Sequence, residues 1–397
     1  MAPIDIAITR AKAGDTAGLE DWIAGGGNPN AHDADGWTPL LWASARGHAA
    51  TVAALLARGA ESTLAHGRSA ALPIHMAGHS GDVATATALL DHAPDQIDAV
   101  WDLNGHTILL QAVFYGHLDL ARTLVERGAD TAITTARGLG PMEFAHQFQN
   151  QPMTDVLRPY DSPAEKKAAY YARYLERIAP IIPEAEKPAQ ALADRLCRAI
   201  EDGIHATATD PTRVDATLAA VRALVEDEGA DVNRLGGPLH QPPLIVAVTG
   251  NNGLPANPTV KRLRDETARY LLERGADPAR HEDHPMGAQT IIRAAVFNHL
   301  DILRMCGAHM TPVALADAIN EVPIVNGLTA MHDTCLRAGM VAAEQAGGYI
   351  EQARWFTENG GRHDMEDFSG QTQQSVAESC PDPERRRRLL AALGVSS

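Results

Sequence analysis

The sequence predicts an all-α protein, a solenoid of about eight or nine stacked helix-turn-helix units joined by short hairpin loops. The main observation is a six-residue helix start that occurs four times in the first half, at intervals of about 34 residues. A glycine turn follows three of these starts at a fixed distance, and a closing Arg-Gly-Ala segment follows two of them. Such a period is typical of stacked helical hairpins, in which each unit contacts only its neighbours. The starts are residues 38–43 (TPLLWA), 72–77 (LPIHMA), 107–112 (TILLQA) and 140–145 (GPMEFA).

Each start contains residues that suit a helix N-terminus. Pro39, Pro73 and Pro141 occupy the first helical position, where proline has its φ already set and loses no intrahelical hydrogen bond. Thr38 and Thr107 are placed to cap the helix through their hydroxyl groups. A glycine then ends the first helix, and a second apolar helix follows. We therefore expect one helical hairpin in each period.

The chain is predicted to have three parts. Residues 1–160 hold the regular units behind an N-terminal cap, residues 161–190 form a helical linker, and residues 191–397 hold divergent units with a C-terminal cap. In the last part the helix starts are farther apart, which indicates inserted loops. Insertions in repeat arrays usually project from one face, often the binding face. The predicted insertions are residues 250–259, 279–288 and 318–327.

The hexamer and its spacing resemble the ankyrin repeat, whose signature is T-P-L-H-x-A. The resemblance covers the first half well and the second half with interruptions. It implies that His75 and His332 bond to the backbone of adjoining turns. It implies the same kind of structural role for His48, His117 and His299, which follow the residue between two helices.

The resemblance also implies which residues face the concave groove of the array. They stand inside the H-x-A segment and just before the turn between the helices. Arg46 with the aromatic residues forms a mixed surface of the kind enriched in binding hot spots, although packing between units is the competing interpretation. The implied binding residues are Trp42, Arg46, Met76, His79, Gln111, Phe114 and Tyr115 in the first half, and Arg293, Phe297, Asp333 and Arg337 in the second.

Composition excludes several classes of function. The formal net charge of −16 argues against nucleic acid and against an anionic membrane surface, because both need basic protein surfaces. No apolar run approaches the roughly 18–20 residues of a membrane span, and the N-terminus shows no secretory signal. The four cysteines form no C-x-x-C pair, and free thiols in a reducing compartment are expected. The sequence thus predicts a cytoplasmic protein.

Catalytic chemistry has weak support in the sequence. Asp333 and His284 are candidates for acid–base roles, and Arg293 and Arg337 are candidates for holding an anionic or carbonyl-bearing ligand. The spacing of His281 and His284 is the nearest approach to a metal site, but a polar rim is the simpler interpretation. No phosphate loop, zinc-protease motif or nucleophile elbow occurs, so no cofactor and no metal are expected.

Two principal functions follow from this pattern. The first is a binding module that recognises a partner protein with its concave face and loop tips. The alternative is an enzyme or small-molecule binder with a closed pocket around Asp333, Arg293 and His284 in the irregular second half. A purely structural spacer is a third interpretation, which an irregular, loop-rich array does not favour.

Overall fold

Every regular element in the described part of the chain is a helix. The computed structural model describes residues 4–67, 69–101, 104–148, 150–249, 257–283, 287–323, 327–341 and 343–395. Within these ranges lie twenty-two α-helices and three short 3-10 helices, and the strand-like pairings are the isolated bridges Trp101–His106 and Gly236–Gln241. The all-α prediction is confirmed. Of the predicted insertions, residues 250–256, 284–286 and 324–326 lie outside the described ranges.

The chain forms two compact units, and the division falls inside the predicted linker. The first unit comprises Met1–Tyr171 with two short segments from later in the chain, Ile324–Gly327 and Glu366–Gln371. The second unit is made of the remaining segments, Ala172–Pro323, Leu328–Met365 and Thr372–Ser397.

The first unit is a stack of helical hairpins. The first helices of the hairpins (α1, α3, α5, α7, α9) pack on one another in one layer, and the second helices (α2, α4, α6, α8, α10) pack in a second layer. The eleventh helix, α11 (Ala164–Ile178), crosses the division between the units. The others are α1 (Ile4–Ala13), α2 (Thr16–Ala24), α3 (Pro39–Ala45), α4 (Ala49–Ala57), α5 (Pro73–Ser80), α6 (Val83–His92), α7 (Ile108–Tyr115), α8 (Leu118–Glu126), α9 (Pro141–Gln147) and α10 (Gln151–Leu157).

Local capping explains where the first helices begin and end. The Thr38 hydroxyl accepts a hydrogen bond from the Leu41 amide at 3.2 Å, as the sequence predicts. Gly81 and Gly116 follow α5 and α7 with φ of 74° and 77°, a conformation that glycine adopts without steric cost.

Histidines after the interhelical turn tie each hairpin to the preceding one. His48 Nε2 bonds the carbonyl oxygen of Lys12 at 3.0 Å, and His117 Nε2 bonds that of His79 at 3.0 Å. Burial lowers the pKa of His117 to about 4, so the ring is neutral at physiological pH. His75 bonds both the Leu72 amide and a carbonyl in the next loop. The structural role expected for these histidines is confirmed.

The second unit repeats the two-layer order with an added helix. The first helices (α12, α14, α16, α19, α21) pack in sequence, and α18 is inserted against α16 and α19. Its helices are α12 (Lys187–Thr209), α13 (Arg213–Glu226), α14 (Pro243–Thr249), α15 (Pro258–Glu273), α16 (Thr290–Val296), α17 (Leu300–Ala308), α18 (Pro312–Asn320), α19 (Ala330–Met340), α20 (Ala343–Glu358), α21 (Gln373–Glu378) and α22 (Pro383–Ala392).

The expected thiols and the expected histidine cap are present in the second unit. Cys197, Cys306, Cys335 and Cys380 are all free and buried. The Thr329 hydroxyl accepts from the His332 amide at 3.3 Å, and the His332 ring in turn accepts from the Thr329 amide at 3.2 Å. No helix in the described ranges combines the length and apolar character needed to cross a membrane.

Candidate functional site

The C-terminal ends of successive first helices carry several of the predicted binding residues. Trp42 lies in α3 and Arg46 directly follows it, His79 lies in the last turn of α5, and Tyr115 ends α7. We call the surface formed by Trp42, Arg46, His79 and Tyr115 the first-helix surface. The His79 and Tyr115 rings meet edge to face, with ring centroids 4.6 Å apart, so that these side chains form a connected set.

Stacked indole rings and cations form one end of the first-helix surface. Trp42 stacks on Trp37 with ring centroids 4.1 Å apart and an interplanar angle of 21°. Lys12 Nζ lies 3.9 Å from the Trp42 ring centroid, and the Arg46 guanidinium carbon lies 5.6 Å from it. A cation over an indole face is attracted by the ring quadrupole. This end of the surface therefore combines apolar area with positive charge.

Three other predicted residues lie between packed helices. Met76 and Gln111 are almost completely buried, and Phe114 packs on Phe144. A side chain at Gly78 would place its Cβ 2.8 Å from Gln111 Cβ, so a glycine at this position allows α5 and α7 to approach closely. Packing between helices is therefore the role of these side chains in this structure.

A segment from late in the chain lies on the first-helix surface. Arg46 Nη2 donates a hydrogen bond to Glu366 Oε2 at 2.9 Å. His79 Nε2 lies 3.5 Å from Asp367 Oδ2 in a pair whose side chains are 4% and 5% exposed. The half-buried Phe368 ring meets Trp37 edge to face at 4.9 Å between centroids. Both charge and aromatic contacts thus hold the segment Glu366–Gln371.

The Asp367 carboxyl is strongly stabilised as a carboxylate. Burial alone raises its pKa, but the hydrogen bond and charge of His79 oppose burial, as do the bonds from Ser369 and from the Gln371 amide. Together they lower the pKa of Asp367 from 3.8 to about 2. Asp367 therefore stays ionised over the physiological pH range.

Sequence analysis did not identify this segment as part of the site. Residues 367–372 (DFSGQT) resemble residues 33–38 (DADGWT), which lead into the first regular helix. The sequence therefore shows only another hairpin tip here. The adjacent acidic and aromatic residues Glu366, Asp367 and Phe368 were the available signal. A local pattern cannot indicate which distant surface such a tip contacts.

In the second unit, the predicted ligand-binding arginines are paired with carboxylates. Arg293 donates to Glu282, and Gln241 also donates to the same carboxylate; both charged side chains are almost inaccessible to solvent. The sequence places Glu282 at a polar tip beside His281, but no local signal indicates that Arg293 is the partner of its carboxylate. Phe297, also predicted for binding, is half-buried and stacks on His299 with centroids 5.9 Å apart.

Asp333 and Arg337 form a buried ion pair along one helix, α19. Arg337 Nη2 lies 3.2 Å from Asp333 Oδ1, and the side chains are 0% and 4% exposed for Arg337 and Asp333. Burial raises the pKa of the Asp333 carboxyl, while the charges of Arg337 and Arg293 act in the opposite direction. The candidate acid–base residue is thus enclosed next to two guanidinium groups.

Histidines at the tips of the second unit pair with single carboxylates. His240 Nδ1 lies 2.7 Å from Asp283 Oδ2, and His281 Nε2 lies 2.6 Å from Glu321 Oε1. The other half of the proposed histidine pair, His284, lies outside the described residues. Within the described ranges, no cluster of three or more His, Cys, Asp or Glu side chains is arranged to hold a metal ion.

Comparison with protein families identifies the class of repeat. A family model described as an ankyrin repeat matches residues 35–65, and one described as ankyrin repeats in three copies matches residues 68–135. Residues 35–135 are therefore ankyrin repeats, which confirms the resemblance drawn from the hexamer. They include α3 to α8, and thus every residue of the first-helix surface. Ankyrin repeats are generally protein-interaction modules.

Proposed function

We propose that the chain binds a partner protein through the first-helix surface of its ankyrin repeats. One observation carries this proposal: the segment Glu366–Gln371 makes an ion pair, a buried carboxylate contact and an aromatic contact on this surface. A surface that accepts a short polypeptide segment in this way has the chemistry needed for a segment of another protein. Trp, Tyr and Arg are also the residues most enriched in binding hot spots.

Charge and compartment support the same function. The net charge of −16 makes nucleic acid and anionic membranes poor partners, whereas Arg46 and Lys12 provide a local positive site on an acidic protein. Four free, buried cysteines suit a reducing environment, and we place this binding in the cytoplasm.

The enzymatic alternative has less support. Arg293 and Arg337, the residues proposed to hold an anionic or carbonyl-bearing substrate, are already paired with Glu282 and Asp333. A substrate anion would have to displace a buried carboxylate, which costs the desolvation of that group. A structural role for both pairs explains their burial without a ligand.

Affinity capture with a matched charge reversal tests the proposal. The full chain and its Arg46→Glu variant are used as baits, with quantitative mass spectrometry of the retained proteins. The control is Arg122→Glu, on the second helix α8, where the arginine is exposed and pairs with Asp119 one turn earlier. We expect specific partners to be retained by the wild type and by Arg122→Glu and lost with Arg46→Glu. Equal retention by all three baits would contradict the proposal.

A further inference from the structure

The segment on the first-helix surface is folded as an ordinary repeat tip. The Asp367 amide donates to the Gln371 carbonyl, and the Asp367 side chain accepts from the Gln371 amide, both at 2.9 Å. The tip before α3 has the same two bonds. The Asp33 amide donates to the Trp37 carbonyl, and the Asp33 side chain accepts from the Trp37 amide. We call the segment Glu366–Gln371 the late tip. Its backbone is therefore held by its own hydrogen bonds. The contacts with the first-helix surface come from its side chains.

Three adjacent side chains of the late tip make those contacts. Glu366 pairs with Arg46, Asp367 with His79, and the Phe368 ring lies against Trp37. The Glu366 side chain is 58% exposed, so its pair lies at the rim, whereas the Asp367 pair is enclosed. The combination is a rim carboxylate, a buried carboxylate and an aromatic ring in consecutive positions.

We propose that the first-helix surface recognises a partner segment with two consecutive carboxylates followed by an aromatic residue, and that Glu366–Phe368 occupies the same site as an internal competitor. This inference rests on the proposed function and specifies the chemistry of the partner. The internal segment shows which side chains the surface accepts. A basic segment would bring positive charge to Arg46 and Lys12 and would leave His79 without a carboxylate.

The titratable and charged groups around the site agree with an acidic partner. Lys12 lies in α1, Arg46 directly follows α3 and His79 lies in α5, so two cations and an imidazole meet here from three hairpins. The Arg46 guanidinium lies very close to Gly370. A Cβ atom at residue 370 would lie 1.3 Å from Arg46 Nη1. Gly370 has a φ of 86°, and the absence of a side chain allows Arg46 to pass over the tip toward Glu366.

Internal occupancy sets how tightly a free segment binds. A tethered segment competes at an effective concentration that can reach the millimolar range. Only molecules in which the tip has left the surface can bind a free segment. The apparent affinity is therefore the intrinsic affinity multiplied by the fraction of such molecules. A change that weakens the tip should raise that affinity without altering the surface itself.

A peptide-binding measurement on the full chain tests the inference. The probe is a fluorescein-labelled peptide with the sequence of residues 365–371 (MEDFSGQ), capped at both ends and followed by fluorescence anisotropy. The test variant is Phe368→Ala, and the control variant is Asp277→Asn, at a second-unit tip where Asp277 accepts from the Ala279 amide at 2.9 Å. We expect Phe368→Ala to bind the peptide about tenfold more tightly than the wild type and the control. Adding Arg46→Glu to Phe368→Ala should weaken the binding by about fivefold.

Peptide variants test the recognised chemistry. A peptide with both carboxylates replaced by amides, and one with alanine in place of phenylalanine, should each bind at least about tenfold more weakly than MEDFSGQ. Equal binding of the amide peptide, or equal affinity of wild type and Phe368→Ala, would overturn the inference. If circular dichroism shows that Phe368→Ala is unfolded, Glu366→Gln, at an exposed side chain, replaces it with the same expected direction.

The outcome also separates this inference from the proposed function. Retention of a partner protein that depends on Arg46, together with no binding of the acidic–aromatic peptide to the folded variant, would reject the inference and leave the proposed function standing. Loss of both would reject both. Dimerisation of Phe368→Ala without peptide binding would indicate that a second copy uses the surface, and it would also overturn the inference.

Discussion

Arg46 and Glu366 are joined by a 2.9 Å hydrogen bond across 320 residues of sequence. The arginine follows the first regular repeat helix, and the glutamate is the first residue of the segment Glu366–Gln371. Because Glu366 is mostly exposed, solvent screens the pair, and its contribution to the free energy of unfolding should be below about 1 kcal/mol. Arg46 matters more as a positive charge at the first-helix surface, which Glu366 neutralises in this pair.

A charge swap tests the pairing of Arg46 with Glu366. Arg46→Glu should destabilise the fold by less than about 1 kcal/mol, and the double variant Arg46→Glu/Glu366→Arg should recover part of that loss. Denaturant unfolding of the two single variants and the double variant gives the coupling free energy. A coupling of zero at low ionic strength would show that the two side chains do not interact in solution.

Acid should remove a specific stabilisation that Asp367 provides. Its folded-state pKa of about 2 lies below the ordinary 3.8, so its contribution is complete above about pH 5 and disappears as pH falls toward 2. The depression corresponds to about 2 kcal/mol. The difference in unfolding free energy between wild type and Asp367→Asn should therefore shrink as pH falls from about 4 toward 2. Asp277→Asn, at an exposed tip, is the control; a difference independent of pH would contradict the assigned cause.

Breaking the buried Asp333–Arg337 pair should be costly in the second unit. Arg337→Met leaves a buried carboxylate next to only one remaining guanidinium, and the expected loss is about 3–5 kcal/mol. Adding Asp333→Asn to this variant should restore much of the stability, because no uncompensated charge then remains. Chemical unfolding followed by circular dichroism measures both effects. If the double variant were less stable than Arg337→Met, the pair would not be the source of the loss.

A central repeat should support its neighbours on both sides. Leu109 is buried in α7, which packs on α5 and α9. Leu109→Asp buries a charge and should destabilise the first unit by more than about 4 kcal/mol, with loss of helical signal and a lower melting temperature. Ile181→Asp is the matched control, because this side chain is 99% exposed. An unchanged melting transition for Leu109→Asp would contradict the stacked arrangement.

Helix boundaries in this protein follow from short-range signals. The Thr38 hydroxyl caps α3 through the Leu41 amide, and the glycines after α5 and α7 adopt the expected left-handed conformation. Each signal acts within a few residues, so sequence spacing predicts the regular helices of the first half. The histidine bonds between hairpins follow from the resemblance to the ankyrin repeat. The α12–α13 hairpin has no recognisable start, and its long helices were not located from the sequence.

The sequence by itself determined the stacked helical hairpins of the first half and the residue types available at the ends of their first helices. Only the tertiary structure decided that Asp367 lies against His79 and that Glu282 pairs with Arg293. The tips that contain Asp33 and Asp367 have the same local hydrogen bonds, so this local pattern does not indicate which distant surface a tip contacts. That contact depends on the packing of residues far apart in the chain, because burial and ion pairing act through space and not along the sequence.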